Sequence, residues 1–350
     1  MPGRCLHQLS DILFIGLCTL LSNGEDFEDM VSFAEERYDW LKTKILLPNG
    51  IPSHDTFNRS FQLIDSDELI RVLKKDGKAL IDHVNSQVIS LDGKKIKGVS
   101  PHSRGNSGLY ILSAWASETG ICIGQKKVKD KSNEVTAIPE ILHDLDITDC
   151  VVTIDAVGCQ KEIAAQIVAQ QGDYLLAVKG NQAELLEEVA ESFQHSPQEG
   201  FDQSWEYDHG RYETRSCSIL SADQALSPKL LDAWPSIRTI TKVESSRVIL
   251  GVKSMNIRYY ISSEAMKDAE YFNNLVRSHW SIENHLHWHL DVTFNEDASR
   301  ARTGNAPQNL NIMRKMALQR IKQDDSKLSQ KKRRFKASLT IDYLNHLLNI

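Results

Sequence analysis

The chain has 350 residues, enough for two domains or one core with a sizeable insertion, and its 41% hydrophobic and 25% charged content is ordinary for a globular protein. The apolar run from Ile12 to Leu21 is broken by Gly16, Cys18 and Thr19, is too short to span a bilayer, and is followed by acidic Glu25, Asp26, Glu28 and Asp29. It reads as a buried helix, not a membrane anchor or signal peptide. A net charge of −6 does not advertise a nucleic-acid binder, although phosphate affinity follows local clusters and not the total.

Six cysteines (5, 18, 122, 150, 159 and 217) form no CxxC pair. That argues against a zinc ribbon or disulfide scaffold and fits a reducing cytoplasm.

Residues 1–82 read as a helical domain: apolar positions recur at helical spacing in DILFIGLCTLL, FEDMVSFAEERYDWLKTKIL and DELIRVLKKDGKALIDHV. The turn formers Pro48, Asn49-Gly50 and Pro52 mark LPNGIPSHDTFNRSF as a loop between them. At residue 87 the pattern changes. QVISLDG, LYILSAWA (109–116) and GICIGQKKV (120–128) predict a three-strand meander. SNEVTAIPEILHDL predicts a helix capped by Ser132 or Asn133, and VVTIDA (151–156) a central parallel strand. A helix over CQKEIAAQIVAQQ, a buried strand over DYLLAVK (173–179) and a helix over NQAELLEEVAESF follow. This β-β-β-α-β-α-β-α order predicts an α/β fold with a ribonuclease-H-like mixed sheet and flanking helices, its first part spanning 86–198.

Residues 199–262 read as a β-rich insertion, with a hairpin turn at Asp208-His209-Gly210-Arg211 that places Arg211, Glu213 and Arg215 on one face. The core resumes over 263–322 with a long helix from near Glu264 past Trp288 and a second through QNLNIMRKMALQRIK. Residues 323–350 form a basic tail carrying KKRRFK and a short apolar helix, YLNHLLNI.

Three acids stand out. Asp92 closes a predicted strand, where Asp-Gly also reads as a plain turn. Asp155 follows Val151, Val152, Thr153 and Ile154 and emerges at the carboxyl edge of a central strand, where functional groups of open α/β sheets gather; capping the next helix is the alternative. Glu283 shares a helical face with His279 and His287, so either a basic side chain or a metal must neutralise it. Three such carboxylates suit two Mg²⁺ ions, hard cations that keep several waters and bind phosphates. Its rival Asp291 falls roughly 80° from Glu283 around an α-helix. Trp280 and Ile282 are expected to be buried and to aim Glu283 at the strand ends. His279, His285, His287 and His289 lack the H-E-x-x-H order and a nearby cysteine, and read as phosphate-contacting, interfacial or packing residues, not zinc ligands.

These residues lie within longer blocks. LSDILFIGLCTLLS, PNGIPSHDTFNR, LDGKKIKG, KDKSNEVTAIPEIL, TIDAVGCQKEIAAQI, GDYLLAVKGNQ, HGRYETR and HWSIENHLHWHLDVTFNEDASRAR resemble, in order along nearly the whole chain, the H-repeat-associated transposases of insertion sequences. The resemblance implies a DDE enzyme with a ribonuclease-H-like core and makes Asp92, Asp155 and Glu283 its triad, catalytic and metal-binding, with Mg²⁺ as two ions and Mn²⁺ as a substitute. It implies hydrolysis at element ends, then attack of the freed 3′-hydroxyl on target DNA with no covalent protein intermediate. The partner is double-stranded DNA, both terminal repeats and target, with a homodimer synapsing two ends in the bacterial cytoplasm. A nuclease that does not join strands, and a non-catalytic DNA-binding relic or repressor, are the other readings. Where the wider group carries Tyr and Arg before the Glu and Lys after it, this chain has Val276, His279 and Leu290. Arg277, His279, His287 and Lys179 are then the substitutes for phosphate contact, with Lys94, Lys95, Lys97, Lys126, Lys127, Lys129, Lys131 and the tail's Lys331, Lys332, Arg333 and Arg334. The chain opens close to the family's first shared block, which implies a missing short leading segment.

Overall fold

A computed structural model describes residues 6–79, 87–99, 108–128, 134–208, 211–249 and 252–349. The N-terminal helices are α1 (Leu9–Leu21), α2 (Phe27–Glu36), α3 (Tyr38–Lys42), α4 (His54–Leu63) and α5 (Ser66–Ala79). The long second helix expected from the sequence breaks at Arg37, and α4 occupies what reads as loop. Ser53 caps α4 through the Thr56 amide, and Phe57 and Phe61, both fully buried, lie one turn apart, so packing extends order beyond the prolines.

The meander forms as β1 (Val88–Ile96), β2 (Leu109–Ala116) and β3 (Ile121–Val128). There follow α6 (Glu134–His143), β4 (Val151–Ile154), α7 (Lys161–Ala169), β5 (Asp173–Val178) and α8 (Ala183–His195). β1, β2 and β3 run antiparallel, whereas β4 lies parallel to both β1 and β5, giving the order β3-β2-β1-β4-β5 of a ribonuclease-H-like core. The proposed caps Ser132 and Asn133 lie outside the described residues.

The insertion contributes β6 (Gly200–Asp208), β7 (Arg211–Ser221), two short helices α9 (Ala222–Ala225) and α10 (Pro228–Ala233), β8 (Thr239–Ile249) and β9 (Val252–Ser262). β9 pairs antiparallel with β5, so the insertion continues the core sheet into nine strands. The β6–β7 ladder runs out to Asp208↔Arg211, and the two residues between lie outside the described set.

Helices cover both faces. One core cluster joins the sheet to α6, α7, α8 and the insertion's helices through Ile138, Ile163, Val189 and Trp234. Across the sheet, α11 (Ala269–His279) packs Phe272, Leu275 and Val276 against Val151, Leu175 and Ile219. A third cluster joins the N-terminal helices to α12 (Ala306–Lys322), α13 (Gln330–Leu339) and α14 (Ile341–Leu348). The tail is therefore a docked helical pair. No helix among the described residues is long and apolar enough to cross a membrane.

Lys322, ending α12, lies 4.2 Å from the Trp115 ring centre, and no carboxylate pairs with it among the described residues. Burial pushes its ammonium down to about 7 from an ordinary 10.5. A lysine whose folded value is depressed costs stability in full below that value, and the cost fades as pH rises toward the ordinary one. Lys322→Met is expected to stabilise the fold by a few kcal/mol at pH 6, the gain shrinking through pH 7 to 10 in urea titrations.

Candidate active site

β1 and β4 set the first two acids by register. Leu91 pairs with Ile154 as the last parallel pair, so Asp92, still within β1, and Asp155, just past the end of β4, are the next residues on neighbouring strands. Asp92 does not turn the chain: it stays in β1 opposite Ser113, with Gly93 opposite Leu112. A side chain at Gly93 would collide with Glu134 and Tyr110, a sufficient reason for glycine there. Asp155 spends one oxygen on the Val157 amide at 3.0 Å, capping a short 3₁₀ turn over Ala156–Gly158. The capping alternative thus describes one oxygen, at the same strand edge.

A polar ladder holds the end of α11 against these strands. Thr153 Oγ1 donates to Ser90 Oγ (3.0 Å), and Ser90 and Ser117 hydroxyls donate to the Ser278 carbonyl at 3.3 and 3.1 Å. His279 Nδ1 lies 3.1 Å from Thr153 Oγ1, which accepts from it on this assignment. Beyond Ile282 the helix is mostly not α. Glu283–His287 and His289–Thr293 are π-helical, with bonds running i→i+5. Along this stretch Ile282, Leu286, Leu290 and Phe294 are buried toward the N-terminal helices. Glu283, His287 and Asp291 fall on the other side, facing one cavity of about 570 Å³ that Asp92 and Asp155 also line. The α-helical expectation for Asp291 is corrected: it shares that cavity, but its Oδ1 lies 2.7 Å from Lys94 Nζ. Ile282 is buried as expected, whereas Trp280 lines the cavity with Arg258 4.4 Å from its ring centre.

The acids are electrostatically distinct. Burial works to raise the Asp92 carboxyl, but the hydrogen bond and charge of His287, with His279 behind it, outweigh burial and hold it below the carboxylate range. His287 Nδ1 stands 3.3 Å from Asp92 Oδ2. Glu283 is raised, first by burial and then by the charge of Asp92, with Asp155 adding to it. Burial lowers His279, against the pull of Asp92 and Asp155.

The donor set is of the kind a divalent cation prefers, hard oxygens lining one cavity, and the repulsion on Glu283 is what a cation would relieve. Among the described residues, no three His, Cys, Asp or Glu side chains gather tightly enough to hold an ion unaided. The remaining ligands would be water and substrate phosphate, the usual preference of Mg²⁺.

The basic residues divide. Lys95 and Lys179 are exposed on the cavity rim, as is Lys97, which pairs with Asp297 at 2.9 Å. Lys94 differs from the sequence expectation: it is 9% exposed and bridges Asp291 and Glu296, so its charge is committed inside the protein. Arg333 is buried against Asp324 at 3.1 Å. Arg334 donates to the carbonyls of Leu20, Gly24 and Thr293. Both arginines are therefore structural, whereas Lys331 and Lys332 are exposed. Lys126 pairs with Glu140 at 2.7 Å, Lys127 is exposed, and Lys129 and Lys131 lie outside the described residues. Arg277 is exposed beside a neighbouring groove. Val276 and Leu290, where the wider group is polar, are buried core, which explains their apolar character. Sequence reading missed Arg258; its only signal was its place on the same strand face as Tyr260.

Comparison with known proteins gives the family to which this fold and cavity belong. The family described as "DDE_Tnp_1-associated" matches residues 1–75 and the "Transposase DDE domain" matches residues 83–320. The chain belongs to the DDE transposase family, an enzyme class that acts on DNA and requires a divalent metal. It is 37% identical over 357 residues to "Putative transposase YncI" of Escherichia coli O157:H7, covering 99% of this chain and 90% of that one. It is 35% identical over 351 residues to "H repeat-associated putative transposase YhhI" of Escherichia coli K12, covering 98% and 92%. Among solved structures, the piggyBac transposase synaptic complex with hairpin DNA aligns with TM-score 0.47 and 12% identity over 98% of this chain and 73% of that one.

Proposed function

We propose that this cavity cleaves and joins DNA phosphodiester bonds, with Asp92, Asp155 and Glu283 as the catalytic triad and ligands for two Mg²⁺ ions, for which Mn²⁺ substitutes. The observation that carries this is the register: two aspartates follow the last pair of adjacent parallel strands at one level, and Glu283 lines the same cavity. When bound, the ions polarise the scissile phosphate and stabilise the entering and leaving oxygens of an in-line displacement.

The chain's own residues supply the rest. His287 orients Asp92 and keeps it ionised. Lys95, Lys97 and Lys179 on the rim, with His279 and Arg258 deeper in, contact the phosphates of terminal-repeat and target DNA. Hydrolysis by water frees a 3′-hydroxyl at the element end; that hydroxyl then attacks a target phosphodiester in the same cavity, forming a new ester bond as the target strand's own 3′-oxygen is displaced and takes up the proton. Bringing two ends together calls for a homodimer.

Mg²⁺ and Mn²⁺ are expected to support cleavage of a labelled duplex, and Ca²⁺ to support binding without cleavage, because its coordination is longer and looser. Activity that survives chelation, or that tracks stoichiometric zinc, would remove this reading. DNA affinity is also expected to fall by about 10³–10⁵ between about 50 and 200 mM salt if six to ten phosphates are engaged. Anisotropy titrations at several salt concentrations check this, and a flat response would mean that the exposed lysines are merely solvated surface.

A further inference from the structure

The outer part of the insertion carries an apolar face that meets solvent. β6 is an edge of the sheet, and its alternate residues Phe201, Trp205 and Tyr207 share one face. The register carries that face across the insertion: Tyr212 stands opposite Tyr207, Met255 opposite Ser246, and Ile257 opposite Glu244. All six side chains are exposed, Trp205 and Tyr207 at 70% and 71%. Aromatic residues at period two are the pattern of a strand face that packs against something. Nearer the core the same face is closed by α8, whose Phe193 stacks on Tyr259 with ring centres 6.1 Å apart. Beyond Ile257 no described element covers it. An exposed apolar face of this kind marks a contact surface.

Charge narrows the choice of partner. Arg215, Arg247 and Arg258 all fall on the opposite face by alternation, so among the described residues this one offers DNA phosphates no arginine. Its Glu244 is paired with Lys242 at 3.3 Å. Within its nine residues β6 carries Asp202, Glu206 and Asp208, and two such edges brought together would set like charges against each other. A second copy therefore docks by the face and not by the edge.

The relief of the face is self-complementary. Between the edge aromatics and the Met255–Ile257 ridge lies a trough of small residues, Thr214, Ser216 and Ser246, enclosing about 160 Å³. A two-fold axis along the face sets each copy's Trp205 into its partner's trough, an isologous contact. At their exposures the six side chains offer roughly 600 Å² per copy, so two copies bury about 1,200 Å², the lower bound of a stable specific interface.

We propose that this face binds a second copy of the chain, forming a dimer without DNA. The contact supplies the homodimer that the DNA-joining reading calls for, and it rests on that reading only for its purpose. It leaves the catalytic cavity open, because Arg258 and Tyr260, which line the cavity, belong to the other face of β9.

Sedimentation of the full-length chain without DNA, over a wide range of protein concentration, tests this. The wild type is expected to run as a dimer at high concentration and to dissociate on dilution. Trp205→Glu on the ridge, and separately Ser246→Arg in the trough, are expected to raise the dimer dissociation constant about 100-fold, as loss of a central anchor does. Circular dichroism stays unchanged, since both positions border solvent. A wild type that remains monomeric overturns the proposal, and so does a dimer that either folded variant leaves intact. Variants that keep the dimer but lose duplex affinity make the face a DNA surface and overturn it as well. Duplex cleavage is read separately: a chain that dimerises here without cleaving keeps the interface and loses the cleavage reading. A monomer that cleaves does the reverse.

Discussion

Replacing Asp92 or Asp155 by Asn, or Glu283 by Gln, is expected to lower strand cleavage by about 10³-fold or more while DNA affinity stays within about threefold. The asymmetry follows from the arrangement of the site. The three carboxylates face one cavity, whereas Lys95, Lys97 and Lys179 are spread along its rim and would share the proposed phosphate contacts. Loss of one acid removes a metal ligand and little of the affinity, and the amides keep side-chain volume, so folding is spared. Gel assays of cleavage beside anisotropy titrations of the same variants check it. A variant that still cleaves would remove its residue from the triad, and one that loses affinity in proportion would make that residue a DNA contact.

Glu296, a buried acid outside the proposed triad, is expected to fail differently. Glu296 is fully buried, with Lys94 Nζ at 2.8 Å, Asn311 Nδ2 at 2.8 Å and Arg314 Nη1 at 3.6 Å. Glu296→Ala leaves two buried cations short of their counter-charge and is expected to cost about 3–5 kcal/mol of stability. Burial works to raise this carboxyl, and Lys94 and Arg314 outweigh it, so it is held below the ordinary glutamate value. Its contribution is then complete above that ordinary value and is lost as pH falls below it toward the depressed one. Urea unfolding of wild type and variant at neutral and acid pH should converge toward the acid end. A variant that stays folded at neutral pH but cannot cleave would instead promote Glu296 to the catalytic set.

Much of this was legible in the sequence because its signals are local. Period-two and apolar runs set β1 to β5 and their order, and four β-branched residues before Asp155 placed it at a strand edge. What escaped depends on partners distant in sequence. Arg333 and Arg334 read as a basic tail until α13 docks and their guanidinium groups meet carbonyls and Asp324. Lys94 reads as a phosphate contact until Asp291 and Glu296, some two hundred residues on, surround it. The π winding after Trp280 has no simple residue signature; an α-helical period therefore misplaced Asp291, while the apolar repeat Ile282, Leu286, Leu290 and Phe294 fits either winding. The insertion's strands were readable, but not their joining to β5, which is a matter of pairing and not of pattern.

The most direct test of the account is cleavage of a supercoiled plasmid carrying this coding segment with its natural flanking DNA, by purified wild-type and Asp155→Asn chains in Mg²⁺. The wild type is expected to nick the plasmid at the element boundary, leaving a 3′-hydroxyl, and Asp155→Asn, equally folded and equally bound, is not. Nicking that persists in Asp155→Asn at the wild-type rate would contradict it.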